Sequence, residues 1–435
     1  MRHTVRLSLL ASIIALSASG ADDLAGMFKE GKVSGQFRTF YINRDISFNN
    51  SANDYSRDAL SVGGKLNYQT GSFNGLSMGA TFYTTNKIDN KSSIAKKNDA
   101  TLFDSSTSNG YSYLGEAYLQ YKNGNTSVKL GRQELNTPLA GGDDARMLPN
   151  TFEAVVLSNT DVKDTTLIAA HVTRINYGTF ANAYPGGELA LTSGYGRLTP
   201  YDSGQFQNMG MAAIGDNTAG VTTLAALYSG IPGLKLQLWD YYAHDILNAI
   251  YAEANYGVSL GTISPYVGVQ YIKEDDVGSN NVITKVNSDF IAGKLGAKIG
   301  NFDIYGAISH NSEDKNAAVS GGTISPWGGM PAYTQGMVTR HQFLSGTDAW
   351  KVAGTYNFKD MGANVSASVY YTSFDVGNLS TYTKGTTTEP GFDIIWNPEA
   401  VKNLQLRFRG NFPNDFSNNT GYTWDEYRLI ANYNF

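Results

Sequence analysis

Basic side chains recur at alternate positions of strand-like segments, and this spacing gives the chain its clearest chemistry. Residues 404–409 alternate between apolar side chains and the polar series Gln405, Arg407 and Arg409. Because period two separates the two faces of a strand, these cations share one face. A row of cations facing water would draw in a carboxylate or phosphate and pass it on without trapping it. The basic residues assigned to polar faces are Arg38, Lys65, Lys129, Lys235, Lys294, Lys298, Lys351, Arg407, Arg409 and Arg428.

A second charged group lies between two predicted strands. Its members are Arg132, Glu134, Asp143, Asp144 and Arg146. Acids opposite a basic wall would create a transverse field that favours dipolar or zwitterionic solutes. Arg132 shares a face with Val128 and Leu130, so it must lie at a rim or be turned inward by a bulge. The segment 141–146 could instead be a solvated turn, while the spaced acids of a calcium loop are missing.

Catalytic and metal-binding patterns are weak. The histidines His171, His244, His310 and His341 stand apart in sequence, so no zinc site is expected. A hydrolase pair of His171 with Ser158 can be imagined, but nothing local supports it. The chain has no cysteine, no glycine-rich phosphate loop and a net charge of only −5. We therefore predict no catalytic residue, no cofactor, no metal and no nucleic-acid partner.

Strands must position these side chains, because strand-like runs follow one another with short turns and long loops in alternation. We predict eighteen strands, an even number, most of them long enough to cross a membrane at a tilt. No repeat of 20–50 residues indicates a solenoid or propeller. The predicted strands are 32–43, 59–70, 76–86, 111–122, 126–133, 152–159, 164–174, 220–228, 234–243, 249–259, 262–273, 288–299, 301–310, 349–358, 362–374, 390–396, 403–411 and a terminal strand.

Composition and the last strand bear on where the apolar faces go. Charged residues make up 16% of the chain, below the roughly one quarter of soluble proteins, and tyrosine is abundant at 28 residues. A lysine or arginine on a lipid-facing wall would cost about 2–4 kcal/mol at the bilayer midplane, which favours an inward assignment for mid-strand cations. A soluble all-β array, with its apolar face buried, remains the alternative. The apolar face of the last strand is Tyr427, Leu429, Ala431, Tyr433 and Phe435.

The N-terminus predicts export. Arg2 and Arg6 precede an apolar stretch, residues 7–16, and the small residues Ala18 and Gly20 fit cleavage before residue 21. A short N-terminal helix is the alternative interpretation. No later apolar run approaches the roughly 20 residues of a spanning helix, so any membrane span must be β. We expect a signal peptide at residues 1–20 and one transmembrane barrel domain at residues 21–435.

One stretch, together with both ends of the chain, resembles a known family. The run GRQELNTPLAGGDDARMLPNTFEAVVL, residues 131–157, looks like the corresponding stretch of OprD-type outer-membrane porins. The predicted signal peptide, the lead into the first strand and the aromatic C-terminus are also similar. The resemblance implies a transmembrane antiparallel β-barrel with short periplasmic turns and long extracellular loops, in the outer membrane of a Gram-negative cell. It further implies a lumen lined by arginines, and uptake of small carboxylate-bearing solutes. By resemblance to porins generally, the third long loop should narrow the pore.

The residues and the resemblance together favour a porin. We expect passive or facilitated diffusion of small hydrophilic solutes, with a preference for anionic or carboxylate-bearing ones, and no enzymatic activity. Outer-membrane lipid and the solutes are the expected partners. Monomer and homotrimer both remain open, as does the solute. The alternatives are an adhesin or receptor barrel that binds through its loops and a barrel hydrolase.

Overall fold

The chain forms a closed antiparallel β-barrel. The computed structural model describes residues 20–88, 98–104, 106–184, 187–195, 202–278, 283, 285–329 and 331–435. Within these ranges, eighteen strands each pair with the next along the chain, and the first pairs with the last from Gln36↔Asn434 to Ser47↔Thr423. Closure leaves no unpaired sheet edge, as a span through lipid requires. The prediction of an eighteen-stranded barrel is confirmed.

The strands are numbered β1 to β18 in chain order. They are β1 (Lys32–Ser47), β2 (Tyr55–Gln69), β3 (Leu76–Lys87), β4 (Tyr111–Asn123), β5 (Thr126–Gln133), β6 (Thr151–Asn159), β7 (Thr165–Asn176), β8 (Val221–Tyr228), β9 (Leu234–Ala243), β10 (Leu247–Gly257), β11 (Ile263–Asp276), β12 (Asn287–Ile299), β13 (Phe302–Asn311), β14 (Asp348–Asn357), β15 (Val365–Val376), β16 (Gly385–Trp396), β17 (Leu404–Asn411) and β18 (Thr423–Asn434). A two-residue strand, Gln207–Asn208, also pairs with the end of β7.

Helical segments are short and lie in the connections. The α-helices are α1 (Leu24–Lys29), α2 (Glu188–Thr192) and α3 (Met209–Ile214), and the 3₁₀ segments are Ser51–Asn53, Ala100–Leu102, Thr179–Ala183, Ala318–Gly321, His341–Phe343 and Phe358–Met361. In the described ranges, no helix has the length and hydropathy to span a membrane. The predicted signal peptide lies outside the described residues except for Gly20 and stays a prediction.

The residues of the β2–β3 turn explain the tight hairpin at one end of the barrel. At the other end, the polar sequence led to predicted strands that are too short. Asn74 and Gly75 have φ of 50° and 84° in the β2–β3 connection, the left-handed conformation that tight hairpins require. At the opposite end β1 extends to Ser47 and β2 begins at Tyr55, so both strands are longer there than predicted. The prediction placed residues 44–58 in a loop because they are polar. Backbone pairing continues there regardless of side-chain polarity.

Alternation along the strands separates the two faces as predicted. Phe37, Leu66 and Leu130 are half or more exposed, on the outside of the barrel. The neighbouring positions Arg38, Lys65 and Lys129 lie on the inner face. An outward apolar belt is what a barrel in lipid presents.

Candidate functional site

Loop three, residues 134–150 between β5 and β6, crosses the barrel interior. On one side the Leu139 backbone N–H donates to Tyr241 Oη on β9 at 3.4 Å. On the other side Arg38 on β1 donates two hydrogen bonds to the Asp144 carboxylate, at 2.5 and 2.7 Å. β1 and β9 are eight strands apart in a ring of eighteen. Loop three therefore divides the interior.

The acids of loop three are paired with cations. Burial opposes ionisation of the Asp144 carboxyl, but Arg38 outweighs burial and lowers the pKa of Asp144. Its side chain stays 46% exposed, so Asp144 also faces the open interior. Asp143 accepts from Arg340 at 2.6 Å and from Tyr195 Oη at 2.6 Å. We expected free acids opposite a basic wall. Instead, Asp144 forms an ion pair with Arg38 of the barrel, and Asp143 forms one with Arg340 of a neighbouring loop.

Arg146 and Arg428, which were predicted to face the pore, are buried in an ion-pair cluster around Glu426. Arg146 donates to Glu426 Oε1 at 2.9 Å, and Arg428 lies 3.0 Å from the same oxygen. Glu426 also pairs with Arg44 at 3.0 Å, and all of these side chains are fully or almost fully buried. Burial, together with Arg428 and Arg44, lowers the pKa of Arg146 to about 10, against the effect of Glu426. The assignments of Arg146 to the constriction and of Arg428 to the lumen surface are therefore corrected, because inward loops cover both.

Arg132 is a further correction. Arg132 lies two residues after Leu130 and therefore faces the outside of the barrel, as Leu130 does. Its Nε donates to Glu153 Oε1 at 3.0 Å, and its guanidinium carbon lies 4.4 Å from the centre of the Phe206 ring. No bulge turns its side chain inward, and Glu153 on β6 has the same outward parity. Arg132 lies at the rim, one of the two positions that its parity allowed, and not in the constriction.

Glu134 and two lysines border a small cavity below loop three. Lys65 Nζ lies 3.8 Å from Glu134, and Lys129 Nζ lies 3.7 Å from the centre of the Tyr118 ring. Burial raises the pKa of the Glu134 carboxyl, which Lys65 opposes. The cavity has a volume of about 170 Å³, and its far side is apolar.

That far side belongs to a distinct half of the inner wall. We call the apolar wall the inward residues Val156, Ile168, Ala170, Val172, Val221, Trp239 and Tyr241 on β6–β9. They pack with Leu135, Leu139 and Ala140 of loop three and Met209 of α3. The expectation of a polar inner face therefore fails here, because loop three and α3 pack on this half.

A larger cavity lies on the opposite side of loop three. Its volume is about 680 Å³. Among the described lining residues the charged ones are Asp143, Asp144, Arg340, Lys351, Asp393, Arg407 and Arg409. Arg407 Nε donates to Asp393 Oδ1 at 2.8 Å, and Arg409 lies 3.4 Å from the same carboxylate. Four cations against three acids leave this lining net positive.

Three lysines share one row of backbone register. The row crosses β9 to β14 through Lys235, Asn255, Gly268, Lys294, Ala307 and Lys351. Lys235 is near the short-turn end of β9, whereas Lys351 is near the long-loop end of β14. Five strand spacings of about 4.8 Å, at a strand tilt of about 40°, raise the row by about 15 Å along the barrel axis. The lysines thus follow a spiral that rises to the larger cavity.

Tyrosines hold the upper lysines in place. Lys294 Nζ lies 3.9 Å from the Tyr333 ring centre, and Lys351 Nζ lies 4.8 Å from that of Tyr370. Tyr333 belongs to loop seven, residues 312–347, whose Gln335 carbonyl accepts from Lys351 at 2.6 Å. Cation–π contact keeps an ammonium group oriented without neutralising it. Lower down, Lys298 pairs with Asp303 at 3.8 Å.

Sequence reasoning missed Asp393 and Arg340. Asp393 alternates with outward Ile394 within a predicted strand, so parity alone could have found it. Arg340 lies in loop seven, where no periodicity assigns a direction. The imagined hydrolase pair is not assembled, because Ser158 lies on the inner face and His171 on the outer face.

Comparison with known proteins supports this architecture. The model of a family described as outer membrane porin, OprD family, matches residues 25–435. Among solved structures, the chain is similar to Pseudomonas aeruginosa OpdK with vanillate (16% identity, 94% of this chain and 99% of that chain, TM-score 0.75). It is also similar to P. aeruginosa OccK9 (OpdG) (19%, 94% and 99%, 0.77) and to P. aeruginosa OccK2 (OpdF) with glucuronate (17%, 94% and 99%, 0.74). No curated protein matches the chain. At these identities the solved structures show the fold.

Proposed function

Because the chain belongs to the OprD family of outer-membrane porins, we propose that it conducts small hydrophilic solutes bearing a carboxylate or another anionic group. The observation that carries the proposal is the spiral of Lys235, Lys294 and Lys351, which rises to the net-positive cavity. Transport is passive or facilitated diffusion and needs no cofactor. OpdK and OccK2 were solved with vanillate and glucuronate, which both bear carboxylates, and this is consistent with an anionic solute.

Successive weak sites explain how an anion would pass. A carboxylate in the larger cavity meets Arg407 and Arg409, whose charge Asp393 partly compensates. Lys351 lines the same cavity, and Lys294 lies two strand spacings, about 10 Å, from Lys351 along the same register row. Conduction requires binding that is favourable at each site but weak enough to release. Partly compensated arginines and water-facing lysines meet that requirement.

Loop three supplies the constriction in this proposal. Asp144, half-exposed beside Arg38, and Asp143, bound to Arg340, place negative charge opposite Arg407 and Arg409 across the larger cavity. A solute that carries both a carboxylate and a positive group would gain from both sides. We also propose that residues 1–20 are a removed signal peptide and that residues 21–435 form one barrel domain.

The test is ion selectivity in planar bilayers. The folded protein should open channels, and its reversal potential in a salt gradient should indicate anion preference. In the double variant Arg407→Ala, Arg409→Ala the described charged lining changes from four cations and three acids to two cations and three acids. We therefore expect the anion preference to be lost or reversed, whereas Lys273→Gln on the outer face should leave it unchanged.

Two results would count against the proposal. A folded protein that opens no channel would contradict conduction itself. A channel whose anion preference survives the double variant would contradict the role of the basic residues, while leaving the porin function intact.

A further inference from the structure

A polar group of residues lies on the outside of the barrel, away from the lumen. We call it the rim cluster, and it lies at the long-loop ends of β5–β9. Its members are Arg132, Glu153, His171, Arg174, Thr222, Tyr242 and His244. His171 alternates with the inward residues Ala170 and Val172, and Thr222 lies between the buried residues Val221 and Thr223. The cluster therefore faces outward, where a lipid-exposed barrel is expected to be apolar.

Two histidines that are far apart in sequence meet through one hydroxyl group. Thr222 Oγ1 lies 3.0 Å from His171 Nδ1 and 3.0 Å from His244 Nε2. The Tyr242 ring contacts the His244 ring edge-on at 4.9 Å and fixes its plane. A hydroxyl can donate one hydrogen bond and accept two, so Thr222 can donate to one ring and accept from the other. In that arrangement the ring that accepts from Thr222 carries its own proton on its other nitrogen, which leaves an imidazole N–H donor directed away from Thr222.

A β-bulge brings a guanidinium to the same surface. The β6–β7 register pairs Ala154 with Val172 and Glu153 with Arg174, which leaves Thr173 unmatched. Without this extra residue Arg174 would share the inward face of Val172, so the bulge re-aims it outward. Arg174 lies 3.6 Å from Glu153, and its side chain stays 54% exposed.

The charges of this surface do not cancel. Glu153 pairs with both Arg132 and Arg174, so one carboxylate stands between two guanidinium groups. The three side chains together are net positive by one charge. Because Arg174 is the more exposed of the two arginines, its remaining donors are available to a ligand that approaches from outside.

The rim cluster begins where the outward apolar belt ends. Leu224 is 56% exposed and lies on the same face of β8 as Thr222, two residues or about 7 Å away. Leu130 stands in the same relation to Arg132 on β5, and Val155 to Glu153 on β6. Polar and basic side chains directly above an apolar belt lie at the level of the lipid headgroups.

We propose that the rim cluster binds the phosphate of an outer-leaflet lipid headgroup. Arg174 and this imidazole N–H supply charge-assisted and neutral hydrogen bonds to phosphate oxygens. The leucines below receive the first part of the acyl chains. The position at the belt edge favours a lipid phosphate over a free anion, which would need no apolar neighbours.

The test is lipid binding to the folded full-length barrel in detergent, measured by native mass spectrometry with phosphatidylglycerol. We expect the double variant Arg174→Gln, His244→Gln to bind about tenfold more weakly, since it loses the positive charge of Arg174 and the imidazole ring that the Thr222 hydroxyl holds in place. The matched control is Lys273→Gln, His310→Gln, which alters a cation and a histidine on the outer face of β11 and β13. This control should bind as the unmodified protein does. Retained migration of the unheated barrel on a gel verifies folding.

Several outcomes would overturn the proposal. Equal binding by the rim variant and the control would do so, as would equal binding of a galactolipid that lacks phosphate. Inorganic phosphate that binds in a rim-dependent manner, while phosphatidylglycerol does not, would indicate a free-anion site instead. A rim variant that changes the oligomeric state but not lipid binding would indicate a protein interface. Channel conductance should be unaffected by the rim variant, so its result is independent of the proposed transport function.

Discussion

The inner wall of this barrel has two unlike halves. On β6–β9 the apolar wall faces inward, and its members Ile168, Trp239 and Tyr241 are almost fully buried. On β14–β17 the inward residues include Lys351, Arg407 and Arg409, which line a cavity of about 680 Å³. Both halves belong to one closed sheet with one outward apolar belt. The difference lies in what covers them from inside.

Loop three explains the difference, because its two ends are as unlike as the walls that they contact. Leu135 and Leu139 lie near its start and pack on the apolar wall. Asp144 and Arg146 follow and form ion pairs with β1 and β18. The loop thereby seals one half and leaves the other open to water. The polarity of an inner face thus reports whether a loop covers it.

The largest expected effect comes from placing a charge in the sealed half. Ala243→Lys, at a fully buried position on the inner face of β9, takes an ammonium group out of water, which costs several kcal/mol, and we expect loss of the folded barrel. The matched change Ser368→Lys, on the inner face of β15 beside the larger cavity, should fold normally. Unheated gel migration and urea unfolding measure both. Equal tolerance of the two lysines would show that the halves do not differ in water access.

A somewhat smaller effect is expected at the charged end of loop three. Glu426→Gln removes the carboxylate shared by Arg44, Arg146 and Arg428 and leaves three buried guanidinium groups without it. We expect a loss of about 3–5 kcal/mol in the free energy of unfolding, and a larger, noisier single-channel conductance as loop three leaves the wall.

Glu399→Gln in an exposed turn is the matched control and should change neither quantity. Unchanged conductance in a destabilised Glu426→Gln barrel would mean that other contacts hold loop three across the lumen.

The sequence was sufficient for the number of strands and for the face of most mid-strand side chains, because both depend on local alternation. Arg38, Lys65 and Lys129 face inward, as their parity predicted. Parity assigns a face but does not reveal what covers it. Arg428 has inward parity and is nevertheless fully buried, since loop seven and Glu426 enclose it.

Contacts between distant parts of the chain set the other limit on what the sequence could predict. Arg44, Asp99 and Glu426 come from three distant parts of the chain, and the surrounding polar sequence made Arg44 look like a loop residue. Likewise the separation of His171 from His244 in sequence hid their meeting through Thr222. Register between strands that are separated by a long loop, and loops that fold inward, are global properties that local periodicity does not encode.

The smallest expected effect is a change of selectivity in the open half. Asp393→Asn keeps the shape of the side chain and one hydrogen-bond acceptor for Arg407. It removes the negative charge that partly compensates Arg407 and Arg409. Two unit charges 4 Å apart in water interact by about 1 kcal/mol, so we expect the anion-to-cation permeability ratio to rise by up to about fivefold with little change in stability. Reversal potentials in a salt gradient measure this ratio, and Asp348→Asn on the outer face is the control. Because water rehydrates the freed guanidinium groups, a charge change here should tune conduction, whereas in the sealed half it should prevent folding. A folded Asp393→Asn barrel with an unchanged permeability ratio would show that these arginines do not lie beside the path of the ions.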